Sequence, residues 1–239
     1  MIKQFRDCAS RSSIADRIQA GRLLAQQLKP NYADHPDVSI LALPRGGVPV
    51  AFEIAEILHA PLDVCIVRKL GVPGYQELAM GAIASEGTKV INEDLVRSLK
   101  ISPIAIDIVT EREQRELERR DRLYRGSRPL LDLSDRTVII VDDGIATGST
   151  LKAALSTIKQ QQPQRIVVAV PVAPPNVCRE LEREVDEVVC LLTPRWFNSI
   201  SLWYDDFSPT TDEEVRSLLA RNVKQLEQWK SLDRKIFGK

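Results

Sequence analysis

Five short apolar runs, Ser39 to Leu43, Asp63 to Val67, Thr137 to Val141, Ile166 to Val172 and Val185 to Leu192, recur along the chain with amphipathic stretches between them. Runs of this length that are apolar at consecutive positions predict strands covered on both faces, as in a parallel sheet. Val50, Ile54, Ile57 and Leu58 share one helical face behind Pro49, and Leu151, Ala154, Leu155 and Ile158 share another before Pro163. Each of these helices follows its strand almost at once. The pattern predicts an α/β fold, an open, mainly parallel twisted sheet with helices on both faces.

The stretch from Gly71 to Arg128 breaks the rhythm. Gly81 to Ala84 and Lys89 to Asn92, separated by Ser85-Glu86-Gly87-Thr88, have the makings of a small hairpin. After Ser102-Pro103, a cap and first turn, a charged helix runs toward Arg125, with Glu111/Arg115, Glu116/Arg120 and Glu118/Arg122 at the i,i+4 spacing of a solvated helix. An insertion of this length between core strands usually covers a site or a partner. The layout expected is one α/β domain over 1–207 with a lid or insertion at 71–128, followed by a small helical appendage or hood at 208–239. In that appendage Val215, Leu218, Leu219, Val223, Leu226 and Trp229 form an apolar stripe that could pack on the domain or make a homodimer.

Composition narrows the function classes. The 33 basic and 33 acidic side chains cancel, which argues against a nucleic-acid or membrane-surface role. Cys8, Cys65, Cys178 and Cys190 are widely spaced with no Cys-x-x-Cys pair, as expected of reduced thiols in the cytoplasm rather than a disulfide frame or zinc site. The opening Met-Ile-Lys-Gln-Phe-Arg-Asp develops no apolar h-region, and no window reaches membrane-spanning length. His35 and His59 stand apart from any metal-ligand or nucleophile pattern and are expected at the surface.

The chemistry concentrates after the third apolar run. Val138-Ile139-Ile140-Val141 leads at once into Asp142-Asp143-Gly144-Ile145-Ala146-Thr147-Gly148-Ser149-Thr150 and then a helix. Ligands of open α/β sheets sit at the carboxyl ends of strands. A helix N-terminus offers unpaired N–H groups and partial positive charge to a phosphate, which Gly144 and Gly148 let the backbone approach and to which Thr147, Ser149 and Thr150 add hydroxyl donors. Two adjacent carboxylates beside such a nest would repel an anion unless they face hydrogen-bond donors or a metal, and ribose hydroxyls with Mg²⁺ meet both needs. Leu41-Ala42-Leu43-Pro44-Arg45-Gly46-Gly47-Val48-Pro49 repeats the strand, glycine turn and helix, with a fixed charge on Arg45. The run ending at Val67 is followed by Arg68 and Lys69, either of which could neutralise a diphosphate at a strand end.

The stretch VIIVDDGIATGST resembles the phosphoribosyl-pyrophosphate motif of type I phosphoribosyltransferases. The Pro-Arg-Gly-Gly-Val-Pro-Val-Ala, Val-Arg-Lys-Leu-Gly and Trp-Tyr-x-Asp-Phe stretches are similar to a bacterial subgroup of that family. The resemblance implies that Asp142 and Asp143 contact the ribose hydroxyls, with Mg²⁺ held indirectly through ribose or water. It also implies that Gly144 and the stretch from Ala146 to Thr150 hold the 5-phosphate, that Arg45, Gly46 and Gly47 bind pyrophosphate, and that the insertion after Gly71 closes over the substrate. Hypoxanthine-type members carry Asp where this chain has Ala146, so the resemblance does not extend to a hypoxanthine or guanine acceptor. The family places base recognition near the end of the sheet, where Trp196 and Phe197 are the first candidates for stacking. The implied activity is Mg²⁺-dependent transfer of a phosphoribosyl group from phosphoribosyl pyrophosphate to a nitrogen of a small-molecule, nucleobase-like acceptor. A binding regulator or sensor of the same ligand without turnover is the alternative, and a phosphoribosyl hydrolase or phosphorylase a third.

Overall fold

The protein is described by a computed structural model covering residues 13–237. Cys8 and the opening residues read for an h-region lie outside the described residues. In chain order the elements are α1 (Arg17–Tyr32), β1 (Val38–Ala42), α2 (Gly47–Leu58), β2 (Leu62–Val64), β3 (Val67–Val72), β4 (Tyr75–Ala84), β5 (Lys89–Ile91), α3 (Glu93–Ser98), α4 (Pro103–Arg125), β6 (Thr137–Val141), α5 (Ser149–Ile158), β7 (Arg165–Val172), α6 (Pro175–Leu181), β8 (Glu187–Leu192) and α7 (Asp212–Phe237). The chain divides into two compact units, one holding residues up to Val64, Leu133–Thr147 and Pro163 onward, the other Cys65–Asp132 and Gly148–Gln162. No helix among the described residues is long and apolar enough to cross a membrane.

The first unit is built on a five-stranded sheet in the order β2-β1-β6-β7-β8, every pair parallel. All five positions of β1 and of β6 are buried, which is why their sequences are apolar without alternation. α1 and α2 cross closely because Gly21 has no side chain: a Cβ there would lie 2.5 Å from Val50 O. Val215 and Leu219 of α7 are fully buried, so part of the apolar stripe is satisfied within the chain, where the helix packs on α2 and β2. Asn222, also fully buried, accepts a hydrogen bond from Leu62 N at 2.9 Å and donates to Ala60 O at 3.3 Å. It thereby satisfies backbone groups at the start of the edge strand β2. His59 closes α2 against the Trp229 ring, with centroids 4.3 Å apart.

The second unit is a three-stranded antiparallel sheet in the order β3-β4-β5, against which α4 and α5 pack. The expected hairpin is present, with Gly81, Ala82 and Ile83 paired to Ile91, Val90 and Lys89. α4 begins as read, with the Ser102 hydroxyl accepting from Ala105 N at 3.2 Å and Pro103 in the first turn. The Glu116/Arg120 and Glu111/Arg115 pairs stand at 2.7 and 4.0 Å.

One strand assignment needs correction. The run from Asp63 to Val67 is two strands in two sheets: β2 ends at Val64 after three parallel pairs with β1, and β3 begins at Val67 as the antiparallel partner of β4. Cys65 and Ile66 between them belong to no strand but are buried, so the hydrophobic pattern runs unbroken through a junction where the pairing changes from parallel to antiparallel. Arg68 and Lys69 therefore lie inside β3 rather than at the carboxyl end of a parallel strand.

Replacing Asn222 by Ala should leave the buried Leu62 N–H without an acceptor and cost about 1–3 kcal/mol. Equilibrium urea unfolding measures this, and a loss below a few tenths would show that water reaches the edge strand.

Candidate active site

The order β2-β1-β6-β7-β8 reverses between β1 and β6. The chain leaves β1 toward β2 on one side and β6 toward β7 on the other. Loops leaving two such strands part at their carboxyl ends and open a crevice, the usual ligand position in this architecture. The two loops are Leu43 to Gly46 after β1 and Asp142 to Gly148 after β6. They stay in contact, with Leu43 N donating to Val141 O at 2.8 Å. Both Gly46 and Gly47 are needed for that approach. A Cβ on Gly47 would lie 2.7 Å from Val141 O and 3.0 Å from Asp142 Cα, and one on Gly46 would collide with the Asp143 carboxylate. The Pro44–Arg45 peptide is cis. Arg45 is exposed and reaches Asp212 Oδ1, at the start of α7, at 3.7 Å.

The second loop is pinned at its start and open at its tip. Ile145 N donates to Val172 O at 2.8 Å, Ile145 is buried, and Ile200 of a short 3-10 turn (Ile200–Trp203) presses on Gly144. Ala146 and Thr147 then stand exposed. Gly148 turns the chain into α5 with φ +73°, a left-handed conformation that favours glycine. In the second unit the Lys69 ammonium lies 3.3 Å from Ser149 Oγ at the first residue of α5.

Asp142 and Asp143 occupy the root of this loop in unlike surroundings. Asp142 Oδ1 accepts from Asp143 N at 2.9 Å, yet burial first, and the neighbouring Asp143 charge second, push its carboxyl well above the usual carboxylate range. Asp143 Oδ2 receives Arg17 Nε at 2.9 Å and Nη2 at 2.7 Å, while Asp143 O accepts from the Tyr204 hydroxyl at 2.7 Å. Burial also raises the pKa of that phenol, which stays protonated as a donor. Arg17 was not singled out from the sequence, and Tyr204 and Phe207 entered only as part of the Trp-Tyr-x-Asp-Phe stretch, with no role at the acids. The available signal is a cation in the first turn of α1, where the helix dipole favours an acid.

The model of the phosphoribosyl transferase domain matches residues 10–206. The chain belongs to that family. It is 44% identical over 218 residues, 91% of its length, to the "Putative phosphoribosyl transferase Rv0571c" of Mycobacterium tuberculosis, of which it covers 49%. The chain thus spans about half the length of the curated relatives it matches first. A "Bifunctional protein PyrR" of Chloroflexus aurantiacus is 32% identical over 130 residues, covering 53% of this chain and 65% of that one. Among solved structures, TT1426 from Thermus thermophilus superposes with a TM-score of 0.80 at 41% identity, covering 87% of this chain and 98% of that one.

Against the phosphoribosyltransferase expectations, the residues fall into four groups. Gly46 and Gly47 after β1 and Asp142 and Asp143 after β6 come together within the first unit, with Gly144, Ala146 and Thr147 following in the same loop as the acids. Gly148, Ser149 and Thr150 form the entry to α5, with Lys69 beside Ser149. Arg68 is committed elsewhere. Its Nε and Nη2 donate to Glu113 Oε2 at 2.8 and 2.5 Å, and Glu113 on α4 is buried, so the pair ties α4 to β3. Trp196 is 90% exposed and Phe197 half-buried, both between β8 and the 3-10 turn.

The raised pKa of Asp142 has a sign that stability can report. The folded state holds the proton more tightly than the unfolded chain, so the stability carried by the neutral form is fully present below the unfolded pKa and lost as pH rises through the folded one. Asp142→Asn retains an oxygen for Asp143 N and removes the charge. It should therefore unfold at a higher denaturant concentration than the wild type near pH 8, with the difference vanishing in acid; a variant no more stable at pH 8 would show that the acid is not held in its neutral form.

Proposed function

We propose that this domain binds 5-phosphoribosyl pyrophosphate in the crevice between β1 and β6 and transfers the phosphoribosyl group to a nitrogen of a nucleobase-like acceptor, releasing pyrophosphate. The observation that carries this reading is the close approach of the Gly46-Gly47 backbone to the Asp142-Asp143 pair. It supports the reading by bringing a glycine turn and two carboxyl groups to one strand junction, on the loop that leads into α5. In this reading Asp142 and Asp143 accept from the ribose hydroxyls. Gly144 and the segment from Ala146 to Thr150 hold the 5-phosphate, and Arg45, Gly46 and Gly47 hold the diphosphate. Lys69 adds charge near the helix entry, and the exposed Trp196, with Phe197, offers a face to the acceptor.

In the reaction the bond from the anomeric carbon to the diphosphate oxygen breaks, its electron pair leaving with pyrophosphate, and a bond forms from the acceptor nitrogen to that carbon. The acceptor loses a proton as the bond completes. Positive charge develops on the sugar in between, and the Asp143 carboxylate, held in place beforehand, stabilises it together with the departing diphosphate. In this reading Asp142 and Asp143 would hold Mg²⁺ indirectly, through ribose or water. Among the described residues there is no group of three or more His, Cys, Asp or Glu that could hold a metal, and Mg²⁺ characteristically binds through one or two carboxylates, water and substrate phosphates. Bound there, it would offset the diphosphate charge. We place the domain in the cytoplasm, a reading supported by the buried, unbridged thiols of Cys178 and Cys190.

Titration calorimetry with Mg²⁺ tests the donor: the wild type should bind phosphoribosyl pyrophosphate, and Asp143→Asn, which loses a charged acceptor, should bind it roughly 10- to 100-fold more weakly. A panel of nucleobases monitored for pyrophosphate release tests turnover. Binding with no release from any acceptor would favour the sensor reading, and no binding at millimolar ligand would end both.

A further inference from the structure

Arg17 is the first helical residue of α1, after the Asp16 cap, and the first turn contains no acid. A cation at that place is disfavoured by the helix dipole. Where a local rule is broken, the compensation is expected elsewhere in the fold. Here it is found 126 residues away. Nε and Nη2 both donate to Asp143 Oδ2, Nη1 donates to Ser208 O at 2.7 Å, and the guanidinium carbon sits 4.0 Å from the centroid of the Phe207 ring. The Arg17 side chain is 11% exposed. It is fixed on three sides, which is unlike an arginine free to swing.

The supports of Arg17 are themselves braced. Phe207 packs on Tyr204 with ring centroids 5.0 Å apart, and the Tyr204 hydroxyl holds the Asp143 carbonyl. The stretch from Trp203 to Asp206 pairs in parallel with Ile14 and Ala15 through Ile14 N to Trp203 O at 2.9 Å, Asp205 N to Ile14 O at 2.8 Å and Asp206 N to Ala15 O at 2.8 Å. Arg17 and the strap from Trp203 to Ser208 therefore grip Asp143 as one assembly. Both arginine donors converge on a single carboxylate oxygen, Oδ2, and the arginine does not use Oδ1.

We propose that Arg17 is a positioning residue for the sugar-binding acid, fixing the Asp143 carboxylate by one oxygen so that Oδ1 is presented to a ribose hydroxyl. The idea rests on the reading that the diacid binds ribose. The planar fork matters because two parallel N–H donors set the carboxylate orientation, whereas an ammonium supplies charge without direction. The effect is confined to ligands that carry the sugar. Pyrophosphate, held by the loop from Arg45 to Gly47, meets the same charges but needs no hydroxyl acceptor.

Calorimetry on the full chain with Mg²⁺ compares phosphoribosyl pyrophosphate and pyrophosphate for wild type, Arg17→Lys and Phe207→Leu. Arg17→Lys retains the charge and loses the fork, so its affinity for phosphoribosyl pyrophosphate should fall about 10-fold while pyrophosphate binding changes less than about 2-fold. Phe207→Leu, which leaves both charged partners, should show a smaller loss with the same selectivity and decides the matter alone if Arg17→Lys does not fold. Equal weakening of both ligands would mean that Arg17 is merely structural, and unchanged binding of both that it does not position the acid; either overturns the proposal. A wild type that fails to bind phosphoribosyl pyrophosphate is a different failure, because it removes the sugar-binding reading of the diacid itself.

Discussion

Two carboxylates on consecutive residues, partly withdrawn from water at the carboxyl end of β6, form the constraint around which this fold is arranged. Unaided, adjacent Asp142 and Asp143 would repel each other and any phosphate nearby. The molecule handles the two differently. Asp142 keeps one backbone partner and is driven toward its neutral form, whereas Asp143 faces the Arg17 guanidinium. Charge is thus matched on one acid and suppressed on the other before any ligand arrives. The arrangement holds only because the chain leaves the paired ends of β1 and β6 toward opposite sides of the sheet and because there is no side chain at Gly46 or Gly47 where the acids pass.

Much of this was legible in the sequence because it is local. Strands buried on both faces read as continuous Val and Ile runs, and the cap of α4 is a Ser-Pro pair whose geometry is set within three residues. The diacid loop likewise carries its glycines, hydroxyls and acids in one unbroken stretch. What escaped the sequence depends on partners far along the chain. Arg68 looked like a strand-end cation available to an anion, but its partner Glu113 lies 45 residues on, in a helix whose charge pattern reads as solvated. Arg17 meets Asp143 across 126 residues. The β2/β3 boundary was hidden for a related reason: Cys65 and Ile66 are buried like the strands they separate, so apolarity is blind to the change of sheet.

The C-terminal part of the chain serves the site and the sheet by different means. α7 closes the edge strand with Asn222, a polar residue inside an otherwise apolar contact, where an unsatisfied amide would be costly. Its first residue, Asp212, also reaches Arg45. The strap ahead of it holds the diacid loop at several points, through Ile200 on Gly144, Tyr204 on Asp143 and Phe207 on Arg17. The end of the α/β domain thus frames the crevice, and the helix that follows it reaches the Arg45 turn through Asp212.

The parallel pairing of Ile14 and Ala15 with Trp203 to Asp206 bears on how the protein is made. Ribosomes deliver a chain from its amino end, and segments fold as they emerge. Arg17 and Asp143 are both present in a nascent chain well before Phe207 and Ser208 exist to seat the guanidinium. The sheet can assemble during synthesis, but the grip on the acid pair comes only when the last stretch is released. A translation product broken off before Tyr204 would hold all eight strands and both Arg17 and Asp143, yet lack the ring, hydroxyl and carbonyl that seat one against the other.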